Sequence, residues 1–118
     1  MPPRLTASIQ VGALLRLAQQ QGDFGTILRK GDATSGAILL VGLIRGANPV
    51  IYERFPGADG DVKWEKRSTQ AASATQAADS DDIQKYLKKR SDQDPDLWIV
   101  ELDTADEQRL TGLIVSNT

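Results

Sequence analysis

A chain of 118 residues with 40% apolar and 25% charged side chains has the size and composition of one globular domain, 1–118, built on a single core. Its net charge of −2 disfavours general nucleic-acid binding, because a domain that tracks phosphates normally carries net positive charge. The absence of Cys and His excludes disulfides, thiolate nucleophiles and metal centres built on sulfur or imidazole, and removes the usual general base of hydrolases. An enzyme here would have to work with Asp, Glu, Lys, Arg, Ser, Thr or Tyr, or with an oxygen-ligated Mg²⁺. The balance therefore favours a binding or accessory role, with no cofactor and no metal.

The first helix is expected over residues 5–21. Ala7, Val11, Leu14, Leu15 and Ala18 form one continuous stripe, and Ile9, Ala13 and Leu17 widen it. Thr6 or Ser8 supplies a cap, and Gly22 a stop. Arg16 is the one cation on the polar side of this helix, too little for a membrane-surface helix. A secretory leader is not indicated either: Gln10 interrupts the apolar stretch and no A-x-A follows Leu17-Ala18. The longest apolar run, Ala37 to Ile44, is far short of the roughly twenty residues of a membrane span. These readings point to a cytoplasmic protein without membrane association.

A first strand is expected over 23–29, with Phe24, Thr26 and Leu28 sharing one face. The polar loop Lys30-Gly31-Asp32-Ala33-Thr34-Ser35-Gly36 then leads into Ala37 to Arg45, a buried central strand by its length and apolar continuity. Gly46-Ala47-Asn48-Pro49 reads as a turn, Val50 to Phe55 as a third strand, Pro56 to Gly60 as a second turn, and Val62 to Arg67 as a charged edge strand. These three strands form an antiparallel meander. Residues 68–78 hold only Ser, Thr, Gln and Ala and read as a mobile connector.

A second helix starts at Asp79-Ser80 and must end before Pro95, with Ile83, Tyr86, Leu87 and Arg90 on one face. Leu97 to Leu102 is apolar on both faces and reads as an internal strand. Thr104 and Glu107 match a capping box for a short last helix, to about Leu113. The expected fold is α+β: a two-layer domain with four or five largely antiparallel (mixed) strands, the first two helices on one face. A three-layer α/β/α arrangement is the alternative, because two strands read apolar on both sides.

Two segments also carry a resemblance. Arg29 to Leu39 (RKGDATSGAIL) and Asp94 to Asp103 (DPDLWIVELD), with Pro3 to Thr6 and Tyr52 to Arg54, are similar to the marks of a short alphaproteobacterial family of unknown function, DUF1491. The resemblance spans nearly the whole chain, with a longer connector than that family suggests. It implies one small α+β domain and supplies no catalytic residue.

Within the loop, Arg29, Lys30, Asp32, Thr34 and Ser35 are the candidate ligand-binding residues, because two glycines bracket a lysine, two hydroxyls and several backbone N–H groups, the makings of an anion nest. It is not a Walker A loop, since no Gly-Lys-Ser/Thr ends it and a strand follows. The plainer alternative is a tight connection in which Asp32 accepts N–H bonds from residues 34 or 35 and the glycines take positive φ. Arg16, Asp96 and Trp98 are possible supporting residues. Asp94, Asp96, Glu101 and Asp103 suggest Mg²⁺, but the turn acids and strand acids lie about 20 Å apart at strand rise, so Asp-Pro-Asp is read as a turn. The expected partners are a protein, including a second copy, or a small anionic ligand. The alternative is phosphoryl or acyl chemistry by Arg29, Lys30, Asp32 and Ser35.

Overall fold

In a computed structural model, described for residues 6–34, 36–56, 62–67 and 80–116, the chain forms three helices and a five-stranded mixed sheet. The helices are α1 (Ala7–Gln20), α2 (Ser80–Gln93) and α3 (Glu107–Ser116); the strands are β1 (Phe24–Arg29), β2 (Ile38–Ile44), β3 (Ala47–Pro56), β4 (Val62–Arg67) and β5 (Trp98–Thr104). The 68–78 connector and Ser35 fall outside the described residues.

The sheet order is β1-β5-β2-β3-β4. The expected meander is present: β2, β3 and β4 pair antiparallel in succession. The last strand, β5, inserts between β1 and β2, antiparallel to the first and parallel to the second. That central position explains why both Leu97–Leu102 and Ile38–Val41 are apolar on both faces.

The fold is α+β, and its helices divide between the two faces of the sheet. Ile83 and Leu87 of α2 pack on Leu39, Val41, Ile51, Leu97 and Ile99. Leu14 and Ala18 of α1, with Leu110, Leu113 and Ile114 of α3, pack on the opposite side, against Leu40 and Leu102. Placing α1 and α2 on one face was therefore incorrect; the three-layer alternative is the arrangement found. Two apolar faces on β2 and β5 demand two covers, and period-two alternation sends residues 39 and 41 to one and 38 and 40 to the other.

Several local features have clear causes. Thr6 Oγ1 accepts the Ile9 N–H at 3.4 Å, capping α1. Gly22, at φ 82°, ends the helix: its N–H bonds the Gln19 carbonyl and the Asp23 N–H bonds the Ala18 carbonyl, a Schellman closure. Arg109 of α3 then donates to the Gln21 carbonyl at 2.7 Å and lies 3.5 Å from the buried Asp23 carboxylate, tying α3 to the end of α1. Ile9, expected to widen the buried stripe, faces solvent; it sits about 200° around the helix from Ala7.

Two boundaries differ from expectation. The β2–β3 turn is only Arg45-Gly46, at φ 51° and 74°, so Ala47 already pairs with Ile44 and Pro49 lies inside β3. Two consecutive positive φ values match the twist of the flanking strands, which favours this short hairpin over the longer Gly-to-Pro turn. At α3, Asp106 and not Thr104 is the cap: Asp106 Oδ1 accepts the Arg109 N–H at 2.9 Å, while the Thr104 hydroxyl ends β5 by donating to a carbonyl, Leu43 at 3.2 Å or Asp106 at 3.0 Å. The helix also runs on past Leu113, to Ser116.

Candidate functional site

The 29–36 loop and the Asp94–Trp98 turn, far apart in sequence, meet because β1 and β5 are neighbours in the sheet. Arg29 donates to the Pro95 carbonyl at 3.1 Å and to the Leu97 carbonyl at 2.6 Å. The Asp32 N–H bonds the Asp96 carbonyl at 3.0 Å, and the buried Trp98 indole N–H donates to the Asp32 carbonyl at 2.7 Å. Each turn is also closed locally: Asp32 Oδ2 accepts the Thr34 N–H and Asp94 Oδ1 accepts the Asp96 N–H.

Gly31 and Gly36 belong to this junction, but not by taking positive φ, which among the described glycines only Gly22 and Gly46 do. They allow close approach. A methyl group on Gly31 would collide with the Asp96 carbonyl oxygen and sit 2.7 Å from Trp98 Cδ1; one on Gly36 would meet the same oxygen.

A helix N-terminus does reach the loop, contributed by α1 from the other side of β1. The Ala7 N–H donates to the Thr34 carbonyl at 3.3 Å and the Ser8 N–H to the Ala33 carbonyl at 3.0 Å, while Ile9 and Gln10 donate to Thr6. The donors that an anion would use are thus occupied by carbonyl and hydroxyl oxygens from loop and cap.

The sequence-derived residues therefore separate into groups. Arg29, the Asp32 and Asp96 main chains, and Trp98 converge on one junction. Lys30 and Thr34, with the side chains of Asp32 and Asp96, lie on its exposed side. Ser35 lies outside the described residues. Arg16 is exposed on α1, nine residues past the loop contact at Ala7, or about 13 Å along the helix axis. Among the described residues no group of three carboxylates could hold a metal ion, and no helix is long and apolar enough to cross a membrane. An open depression of about 520 Å³ on α3 is bordered by Glu107, Gln108, Thr111 and Gly112, none of them in either turn.

Two adjacent residues of β3 hold the least ordinary electrostatics, and sequence reasoning singled out neither. Glu53 points toward α2, where it is buried and accepts from Arg90 Nε at 2.9 Å, Arg90 Nη2 at 3.2 Å and the Tyr86 hydroxyl at 2.8 Å. The Glu53 hydrogen bond holds the Arg90 pKa above its ordinary value, with burial opposing. Arg54 points to the other face, is also buried, and its Nε has no acceptor in reach. Burial alone pulls its pKa below the ordinary value. The available signal was two successive charges in a strand covered on both sides, which alternation must send into both layers.

A crystal structure of a DUF1491 family protein from Caulobacter crescentus CB15 superposes with a TM-score of 0.69 at 30% identity, over 87% of this chain and 91% of that one. An NMR structure of a DUF1491 family protein from the same organism gives a TM-score of 0.70 at 30% identity, over 89% and 90%. The solution structure of protein Atu0922 from A. tumefaciens, 24% identical, shares the fold with a TM-score of 0.71 over 92% of both chains. No curated protein matches the chain. The family model described as a protein of unknown function, DUF1491, matches residues 5–112, covering both interlocked turns, and the chain belongs to that family.

Proposed function

We propose that this protein is a non-enzymatic binding module that acts through the free edge of β1, and that the strand it takes there is β1 of a second copy. One observation carries the reading: β1 exposes Phe24 by 73%, Leu28 by 46% and Ile27 by 43%. Three large apolar side chains on one edge strand are a template for strand addition. The opposite edge differs, because β4 reads Val-Lys-Trp-Glu-Lys-Arg and is blunted by charge. Residues 24–28 carry no charge, and Arg29 is turned back onto the Pro95 and Leu97 carbonyls.

The edge is complementary to itself. Antiparallel pairing about a two-fold axis at Thr26 sets Gly25 against Ile27 of the partner subunit and Thr26 against its own copy, and brings Phe24 beside the bulge that β1 makes at Leu28, with no like charges opposed. The apolar side-chain surface available is on the order of 300 Å² per copy. That lies at the low end for a stable interface, so the pairing is concentration-dependent.

Light scattering over ~10 μM to ~1 mM tests this, a range that brackets weak association. The mass of the wild-type chain is expected to climb from 12.8 kDa toward twice that value. Phe24→Lys is expected to hold the monomer mass with an unchanged melting midpoint, since this side chain contributes little to the core. A wild-type mass that stays flat to the top of the series rules the pairing out.

A further inference from the structure

Four residues form one row across the sheet on the α1 side: Trp98 of β5, Ile38 of β2, Arg54 of β3 and Trp64 of β4, each in register with the next. Ala7 and Val11 of α1 pack over this row in a cluster with Ile38, Trp98 and Trp64. Gln10 lies between those two residues on the same buried helix face. A single guanidinium therefore sits in a row of aromatic and aliphatic side chains.

Its hydrogen bonding is incomplete in a specific way. Arg54 is 8% exposed, and its Nε is buried without a partner. The Trp64 indole N–H beside it is likewise buried and unpaired. So is Gln10 Oε1, on a side chain that is also 8% exposed. A guanidinium out of water with an N–H left unpaired is among the costlier arrangements a fold can hold. The preceding residue shows what completion looks like, because Glu53 and Arg90 satisfy one another on the opposite face.

We propose that Arg54, Trp64 and Gln10 form a binding site for a small oxyanion that brings its own hydrogen-bond donor. The planar guanidinium offers paired N–H groups to two oxygens of a carboxylate or phosphate. The indole N–H supplies a further donor to the anion. Gln10 Oε1 is an acceptor, so it selects a ligand with a hydroxyl or amino hydrogen next to the charge. A 2-hydroxycarboxylate and monohydrogen phosphate share that chemistry; acetate has the charge without the donor. The site is separate from the β1 edge and stands whether or not the chain pairs with itself.

The test uses the full chain, dialysed free of phosphate and carboxylates. Melting midpoints and titration calorimetry are measured with sodium phosphate, sodium lactate and sodium acetate, each at ionic strength matched with sodium chloride. Phosphate or lactate is expected to raise the midpoint dose-dependently, the more effective of the two identifying the ligand class, with acetate weaker than either. Arg54→Met is expected to fold, to be at least as stable as wild type without ligand, and to lose the response. Trp64→Phe, which keeps an aromatic ring and removes the N–H, is expected to weaken binding about tenfold. If neither phosphate nor lactate moves the wild-type midpoint, or if Arg54→Met responds as wild type does, the site is overturned. Acetate binding as well as lactate removes the role given to Gln10. Should Arg54→Met not fold, Arg54→Lys carries the test: it keeps the charge and loses the fork, and undiminished binding in that variant overturns the assignment.

Discussion

Glu53→Ala is expected to destabilise the protein by about 3 kcal/mol in chemical denaturation, because it strands a half-buried guanidinium that now has two charged hydrogen bonds. The side chains of Glu53 and Arg90 are only 4% and 17% exposed, so solvent screens the pair weakly. Arg90→Ala is expected to cost a similar amount, by removing both guanidinium hydrogen bonds from a buried carboxylate. The double variant Glu53→Met/Arg90→Met is expected to recover most of the loss, since an apolar pair fills the space without uncompensated charge. Ile83 and Leu87 anchor α2 by apolar contact in any case. If each single variant costs under ~1 kcal/mol, the pair behaves as an exposed ion pair and contributes little to holding α2 on the sheet.

Gly31→Ala is expected to cost about 3 kcal/mol, and the same substitution at Gly112 to gain about 0.5–1 kcal/mol. At Gly31 the added methyl meets main-chain atoms of Asp96 and Leu97 and the ring of the buried Trp98. None of these can swing aside like the end of a flexible side chain, because Asp96 is already bonded to the Asp32 N–H and Trp98 to the Asp32 carbonyl. At Gly112, inside α3, nothing lies within 4 Å of the new methyl, so alanine only restricts the unfolded chain and improves helix propensity. Gly12 in α1 has the same open surroundings and serves as a second control. Thermal or urea unfolding of the three variants checks the opposite signs directly. A neutral Gly31→Ala shows that the two turns do not depend on their close approach.

Features closed within a few residues were legible in the sequence, and features closed across the sheet were not. The Asp32 turn, the Asp94 turn, the Gly22 stop and the Thr6 cap each involve a side chain or glycine acting on its own neighbourhood, and all four are present. The role of Gly31 depends on Asp96, and the arrival of α1 at Ala33 and Thr34 depends on how β1 is covered; neither distance is written in local pattern. The loop reads as an anion nest because it is rich in donors; of these, the Asp32 N–H is taken by the Asp96 carbonyl of the distant turn and the Thr34 N–H by the Asp32 carboxylate. Arg54 is the converse case. In the sequence it stood only as the end of the Tyr52 to Arg54 block, and the two-sided cover of β3 makes it a buried cation. Alternation could have assigned Glu53 and Arg54 to opposite layers, but not which of them would find a partner.

The late insertion of β5 also has a consequence for how the chain comes to be folded. The Trp98–Asp32 bond joins residues 66 apart, and among the described residues β1 has β5 as its only sheet neighbour. During synthesis β2, β3 and β4 can pair locally as soon as they emerge, but β1 has nothing to join until residues 98–104 appear. The apolar edge of Phe24, Ile27 and Leu28 is therefore bare on both sides through most of translation, and on one side afterwards. Closing that long loop is the step to which the folding rate should be most sensitive, and it is the step at which a nascent chain is most open to pairing with a neighbour emerging beside it.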